Sequence, residues 1–283
     1  MKILVTGANG FIGRHYCQVL LNQGHEVIGL SRKISRKHDK NVVWVEQDIN
    51  INNSINKLES LKLEAVIHLA WPDLDDYSND KHLILHLPKH TEFLSQLIFS
   101  GINKLQVLGT CLEYGMQAGC LDETLPSQPT LPYAIAKNKL HINLQRLNST
   151  HCLQWIRLFY LYGDGQRASS FVPLLNSAIN RKEKYFPMSG GQQIRDYLDV
   201  KTVVTMLTAL LETDNCGTFN CASNMPVRMA DFAQQLIEKA GGNTQLQLGK
   251  YPYPSYEPME FWGDNTKLFT AIGAKSLNQT TVK

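Results

Sequence analysis

The chain has 283 residues, 43% of them hydrophobic and 19% charged, with a formal net charge of +3. These values exclude wholesale disorder and leave room for one large α/β domain, or for a main domain with a smaller appendage. So slight a positive excess, with no run of Lys and Arg long enough to track phosphates, excludes nucleic acid as the expected partner. A local basic cluster of Arg32, Lys33, Arg36, Lys37 and Lys40 points to a small anionic ligand instead. No apolar stretch approaches the roughly 20 residues of a bilayer span, so no membrane segment is expected. Met1-Lys2 leads straight into "ILVTG", without a charged leader or cleavage site, and a cytoplasmic protein is the expectation. Six cysteines (Cys17, Cys111, Cys120, Cys152, Cys216 and Cys221) show neither C-x-x-C pairing nor zinc spacing with His. Packed, reduced thiols and no metal site are expected.

In chain order, "KILVT" is a short apolar run ending in a glycine turn, which predicts a buried parallel strand. "FIGRHYCQVLLNQG" predicts a helix stopped by Gly24, and "HEVIGLSR" and "NVVWVEQD" predict the second and third strands. "INNSINKLESL" predicts an amphipathic helix, "EAVIHLA" a fourth strand, residues 82–100 a long helix and "KLQVLGT" a fifth strand. "LPYAIAKNKLHINLQ" opens with a proline and predicts another helix, and "CLQWIRLF" a sixth strand. This alternation predicts an α/β fold, a doubly wound parallel Rossmann sheet with right-handed crossovers. Beyond Phe159 the pattern loosens into helices near 171–181, 200–212 and 228–240 and a tail with "YPYPSYEP". The chain therefore divides into a nucleotide-binding domain over residues 1–160 and a smaller, intertwined C-terminal lobe over residues 161–283.

"VTGANGFIG" sets Gly7, Gly10 and Gly13 between the first strand and the first helix. Gly7 permits a sharp turn, Gly10 a close approach of backbone to pyrophosphate, and Gly13 tight helix–strand packing. The helix N-terminus beyond them offers unpaired N–H groups to phosphates. Asn9, Phe11 and Ile12 share this loop and first turn, and are expected to contact the cofactor with the glycines. The second strand ends in Ser31 and Arg32, where a ribose-binding acid would favour NAD. A hydroxyl and a guanidinium suit a 2′-phosphate, so NADP, as NADPH, is expected over NAD. Asp48 and Ile49 after the third strand face the adenine end, and Leu69 and Ala70 after the fourth lie at the same sheet edge.

Tyr133 and Lys137 stand at i and i+4, on one face of the predicted helix. A nearby ammonium favours the phenolate and lowers the phenol's pKa, which suits acid/base work, and Lys137 can also bond a nicotinamide ribose. Thr110 ends the fifth strand, where ligands bind in such sheets, and its hydroxyl can hold a carbonyl oxygen beside Tyr133.

"TGANGFIG", "VIHLAW", "GTCLEYG", "PYAIAK", "RLFYLYG", "GGQQIRDYLDV" and "DNTKLFTAIGA" follow one another along nearly the whole chain. With these motifs the sequence resembles the extended short-chain dehydrogenase/reductase family of nucleotide-sugar epimerases, dehydratases and reductases. The resemblance implies Thr110, Tyr133 and Lys137 as the catalytic triad. It gives Arg195 the grip on the substrate's diphosphate, and Asp196 the task of holding the local backbone. Tyr160 stands where the family commonly has a substrate-contacting Asn, and Tyr256, Glu257 and Glu260 where a second basic phosphate ligand is often found. Glu113 is expected to line the substrate pocket, and Tyr114 either the pocket or the core.

The family's dehydratases follow the catalytic Thr with Asp-Glu, and here Cys111 and Leu112 stand instead. Its keto-adjacent epimerases place a Cys two positions on, so Cys111 is out of register and reads as a packed thiol. The resemblance thus favours an NADPH-dependent reductase of a nucleotide-linked 4-keto-6-deoxyhexose, in the pathway to a deoxysugar of a surface polysaccharide. A 4-epimerase with tightly bound NAD and a non-catalytic NADP sensor stay open as alternatives. Homodimerisation is common in the family, and a homodimer is a further expectation.

Overall fold

A computed structural model of the chain describes residues 1–34, 39–49, 55–147 and 151–273. Arg36, Lys37 and residues 51–54 of the predicted second helix lie outside the described residues. Strand β1 (Lys2–Thr6) runs into the glycine turn, and helix α1 (Phe11–Asn22) begins beyond it. Next come β2 (Glu26–Ser31), β3 (Val43–Glu46), a single turn α2 (Asn56–Glu59) and β4 (Ala65–His68). A π-type turn over His82–His86 leads into α3 (Leu87–Phe99), followed by β5 (Lys104–Thr110). A tight turn over Cys111–Tyr114, β6 (Gly119–Leu121), α4 (Pro132–Gln145) and β7 (Cys152–Leu158) complete the alternating part. The rest of the chain adds β8 (Tyr160–Tyr162), α5 (Phe171–Asn180), β9 (Tyr185–Pro187), β10 (Ile194–Arg195) and β11 (Tyr197–Asp199). It ends with α6 (Val200–Leu211), β12 (Gly217–Cys221), β13 (Val227–Arg228), α7 (Met229–Lys239), β14 (Gln245–Gln247), β15 (Phe261–Gly263) and α8 (Thr266–Ile272).

The main sheet has seven strands in the order β12-β7-β5-β4-β1-β2-β3, all parallel. From β1 the chain winds outward through β2 and β3, then returns to the other side at β4. The carboxyl ends of β1 and β4 therefore flank a topological switch point, where a crevice for a ligand opens. The six predicted strands all stand in this sheet. The seventh, β12, went unread because "GTFNC" is short and half polar, and its pairing partner β7 lies far back in the sequence.

Apolar layers cover both faces, as a wholly parallel sheet requires. α3 and α4 pack Phe93, Leu97 and Leu140 on one side, while α1, α6 and α8 pack Leu20, Leu207 and Leu268 on the other. A smaller cluster with Leu175, Phe186 and Ile237 joins α5, β9 and α7 at one end. No helix among the described residues is long and apolar enough to cross a membrane.

One cysteine expectation is corrected. Cys152 and Cys216 form a disulfide with their Cα atoms 5.3 Å apart, rather than remaining thiols. They lie at the neighbouring starts of β7 and β12, and a sequence separation of 64 hides that proximity until the strands pair. Cys17, Cys111 and Cys221 are buried thiols, and Cys120 is exposed.

Candidate active site

The glycine turn is the tightest piece of the crevice. Gly7 has φ +67°, and a side chain there would begin 2.9 Å from the Ala70 backbone nitrogen. A Cβ at Gly13 would stand 2.1 Å from the Gly7 carbonyl oxygen, so α1 can approach β1 only without one. Gly10 caps α1 in extended conformation, with no side-chain cap and no acidic residue in the first turn. The helix's first N–H groups thus face the crevice unsatisfied, and this donor set fits the pyrophosphate of a dinucleotide. Asn9 is exposed beside Gly10, while Phe11 and Ile12 are half-buried. The Leu69 and Ala70 N–H groups each donate to Thr6 Oγ1 at 3.2 Å, which binds the loop after β4 against the end of β1.

At the end of β2, Ser31 Oγ donates to the Lys33 carbonyl at 2.9 Å, and Arg32 is exposed. Register sets Ser31 beside Glu46, whose carboxylate accepts the Ile34 N–H at 3.0 Å. Asp48 and Ile49 follow β3, both half-buried.

Thr110 ends β5 and starts the next turn as a capping box. Its hydroxyl accepts the Leu112 N–H at 3.3 Å, and Glu113 Oε1 accepts the Thr110 N–H at 2.9 Å. Pro132 opens α4, which places Tyr133 in the first turn and Lys137 one turn on, both buried. The Thr110 hydroxyl lies beside the Tyr133 phenol, close enough to lower its pKa. The structure therefore brings Thr110, Tyr133 and Lys137 together at the carboxyl edge of the sheet.

The electrostatics differ from the i,i+4 expectation. Burial drives the Tyr133 phenol well above its ordinary pKa, reinforced by Tyr77, Glu113 and Cys111, with Thr110 opposing. Lys137 is turned elsewhere. Its Nζ donates to the Leu108 carbonyl at 2.8 Å and lies 4.2 Å from the centre of the Trp71 ring. Burial pulls the ammonium down to about 7, partly offset by Glu113. Desolvation outweighs the attraction between the two groups.

Glu113 is corrected from pocket lining to core. It is wholly buried, with Oε1 and Oε2 each 3.1 Å from Trp155 Nε1 and Oε2 paired with Arg157 Nε at 3.1 Å. The turn after Thr110 curls its side chain back under β5, where the Thr110 N–H and the Arg157 guanidinium need an acceptor. Tyr114 also serves the core, donating to Asn220 Oδ1 at 2.8 Å. Asp196 holds the backbone as expected, accepting the N–H groups of Ser223 and Asn224 at 2.7 and 2.9 Å.

A cavity of about 380 Å³ in the C-terminal part is lined in part by Tyr160, Phe171, Arg195, Tyr197, Tyr256 and Glu257. Arg195 and Tyr160 both line this cavity, and both are engaged. Arg195 Nη2 pairs with Glu257 Oε2 at 3.0 Å, its Nη1 donates to the Ile194 and Met259 carbonyls, and the Tyr160 hydroxyl donates to Glu257 Oε1. Sequence reasoning missed Trp71 and Tyr77. Tyr77 stacks on Tyr133 with ring centres 4.9 Å apart. Trp71 had a signal in its place directly after the fourth strand, whereas Tyr77 sits in a loop with none.

The chain matches the model of the NAD dependent epimerase/dehydratase family over residues 3–222. It is 29% identical to a dTDP-6-deoxy-L-talose 4-dehydrogenase (NAD(+)) of Aggregatibacter actinomycetemcomitans, over 93% of this chain and 99% of that protein. It is 24% identical to a CDP-abequose synthase of Salmonella typhimurium, over 96% and 92%. Among solved structures, an NAD-dependent NDP-hexosamine 5,6-dehydratase involved in tunicamycin biosynthesis superposes with TM-score 0.83 at 26% identity, covering 96% and 91%. A UDP-glucuronic acid 4-epimerase from Bacillus cereus, in complex with UDP-glucuronic acid and NAD, superposes with TM-score 0.81 at 26% identity, covering 100% and 95%. With a family match over most of its length and the glycine turn and Thr–Tyr–Lys cluster on one sheet edge, the protein belongs to the NAD dependent epimerase/dehydratase family and is an NAD(P)-dependent enzyme of the extended short-chain dehydrogenase/reductase type.

Proposed function

We propose that the enzyme reduces the 4-keto group of a nucleotide-linked 4-keto-6-deoxyhexose, with NADPH as the reductant. The observation that carries this reading is the Tyr133 phenol, buried beside Thr110 and kept protonated by that burial. A protonated phenol at that place is a proton donor for the alkoxide that forms as a ketone is reduced. The relatives' names support the substrate class: a 6-deoxy-talose 4-dehydrogenase catalyses the same step in the opposite sense, and abequose synthase also names a deoxysugar product.

In this reading Thr110 Oγ1 donates to the ketone oxygen and Tyr133 delivers its proton there. Lys137, one turn along α4, compensates the phenolate left behind, so its charged form is the working one. Gly7, Asn9, Gly10, Phe11, Ile12 and Gly13 would hold the cofactor's pyrophosphate, with Leu69, Ala70 and Lys137 toward its nicotinamide end and Asp48 and Ile49 toward its adenine. When bound, the nicotinamide ring supplies the hydride. Ser31 and Arg32 at the end of β2, a hydroxyl and a guanidinium where an acid would favour NAD, support NADPH over NADH. Arg195 and Tyr160 would receive the nucleotide's diphosphate, and Glu257, which now holds both, must then move aside.

A spectrophotometric assay of NADPH oxidation against 4-keto-6-deoxyhexoses on different nucleotides, repeated with NADH, tests this reading. Oxidation with one member, faster with NADPH, is the expected outcome, and Arg32→Ala should erase the preference. Silence toward the whole panel, together with NAD that stays bound through desalting, would replace the reductase with a 4-epimerase.

A further inference from the structure

Behind Lys137 lies a set of buried aromatic and imidazole groups that the proposed reaction leaves without a role. The Trp71 indole N–H donates to His82 Nδ1 at 3.1 Å, and His82 Nε2 lies 2.9 Å from the Asp76 carbonyl. A ring nitrogen that accepts from an indole carries no proton, so His82 is the neutral tautomer that donates from Nε2. On the strand side, Thr6 Oγ1 already accepts from Leu69 and Ala70, so its own proton goes to His68 Nδ1 at 2.9 Å. His68 in turn donates from Nε2 to His90 Nδ1 at 2.8 Å. The segment carrying Trp71 is thus fastened from β1 on one side and from the turn before α3 on the other, through neutral imidazoles. Burial accounts for that neutrality, since it lowers the pKa of His68, His82 and His90.

Held in this way, the indole presents its face to Lys137 Nζ, 4.2 Å from the ring centre. The ammonium is stripped of water and donates to one carbonyl, that of Leu108. A face of negative potential compensates part of that loss. Trp71 also meets the Tyr133 ring edge-on at 6.2 Å, so one side chain touches both members of the pair. We propose that Trp71 is a positioning residue that caps the Lys137 ammonium with its indole face, and that His82 holds that face in place. The titratable groups facing Lys137 are Glu113 from the turn after β5, His68 from β4 and His90 from α3. Glu113 favours the ammonium, and the two imidazoles disfavour it only when protonated.

The proposal rests on reading Lys137 as part of the reacting site, but its test needs neither substrate nor cofactor. The full chain, labelled with carbon-13 at the lysine carbon next to the amine, is titrated by NMR, and the Lys137 signal is assigned by its loss in Lys137→Met. Trp71→Leu should lower the Lys137 midpoint by about one pH unit, and Trp71→Phe, which keeps an aromatic face, by less than about half of that. His82→Phe removes the indole's acceptor and should shift the midpoint in the same direction. An unchanged midpoint in Trp71→Leu overturns the cap, and an unchanged midpoint in His82→Phe overturns the role of His82. If Trp71→Leu does not fold, Trp71→Phe carries the test, and a midpoint at or above that of the natural protein overturns the cap. A lowered midpoint in a protein that reduces no keto sugar would uphold the cap while removing the reductase reading.

Discussion

Tyr133 is buried beside Thr110, and desolvation is the largest cause of its raised pKa, reinforced by Tyr77, Glu113 and Cys111. Tyr133→Phe keeps the ring packed on Tyr77 and removes only the hydroxyl. Turnover should fall by about 10²–10⁴, with affinity for the reduced nicotinamide cofactor nearly unchanged, as parallel kinetics and fluorescence titration would show. Full activity in that variant would remove Tyr133 from the reaction. Lys137 gives a sharper test of the same electrostatics. Its folded pKa of about 7 lies below the ordinary lysine value of 10.5, so between these the unfolded chain binds more protons and stability rises with pH. The cost of burying the ammonium is present in full below the lower value and vanishes toward the upper one. Lys137→Met should therefore be more stable than the natural protein at pH 7, its advantage shrinking by at most about 1.4 kcal/mol per pH unit above that. Denaturant titrations of both ligand-free proteins, at neutral pH and about pH 9.5, check the sign.

At the scale of elements, the turn after β5 joins the site to the core. Glu113 closes the capping box on Thr110 and meets Trp155 and Arg157 of β7, so three elements depend on one buried carboxylate. Its removal leaves the Arg157 guanidinium without its counterion. Glu113→Ala should destabilise the fold by about 3–5 kcal/mol in denaturant titration. Glu113→Gln, which retains an acceptor for the Thr110 N–H, should leave the KM of whatever product still folds unchanged; a raised KM with intact stability would return Glu113 to the pocket. The elements bearing the site were largely legible. "KLQVLGT", "PYAIAK" and the glycine turn announced their strand, helix and loop through β-branched runs, a leading proline and glycine spacing. The π-type turn before α3 was not, because His82, His86 and His90 keep helical spacing while the backbone widens locally to seat them.

For the molecule as a whole, the disulfide between Cys152 and Cys216 ties the outermost strand β12 to β7. Closing a loop of that length in the unfolded chain should contribute about 2–4 kcal/mol, so reduction, or Cys152→Ser, should lower the unfolding midpoint by the corresponding amount. An unchanged midpoint, with two extra thiols titrating in the untreated protein, would mean that the bond does not form. The doubly wound architecture was legible from local periodicity and the glycine spacing, and the proposal of Thr110, Tyr133 and Lys137 as the reacting group rested on the resemblance carried by short motifs. Where the charges point followed from packing. Glu113 went to the core, Arg195 to Glu257 and Lys137 to Trp71, because each of these choices balances desolvation against partners brought from distant parts of the chain.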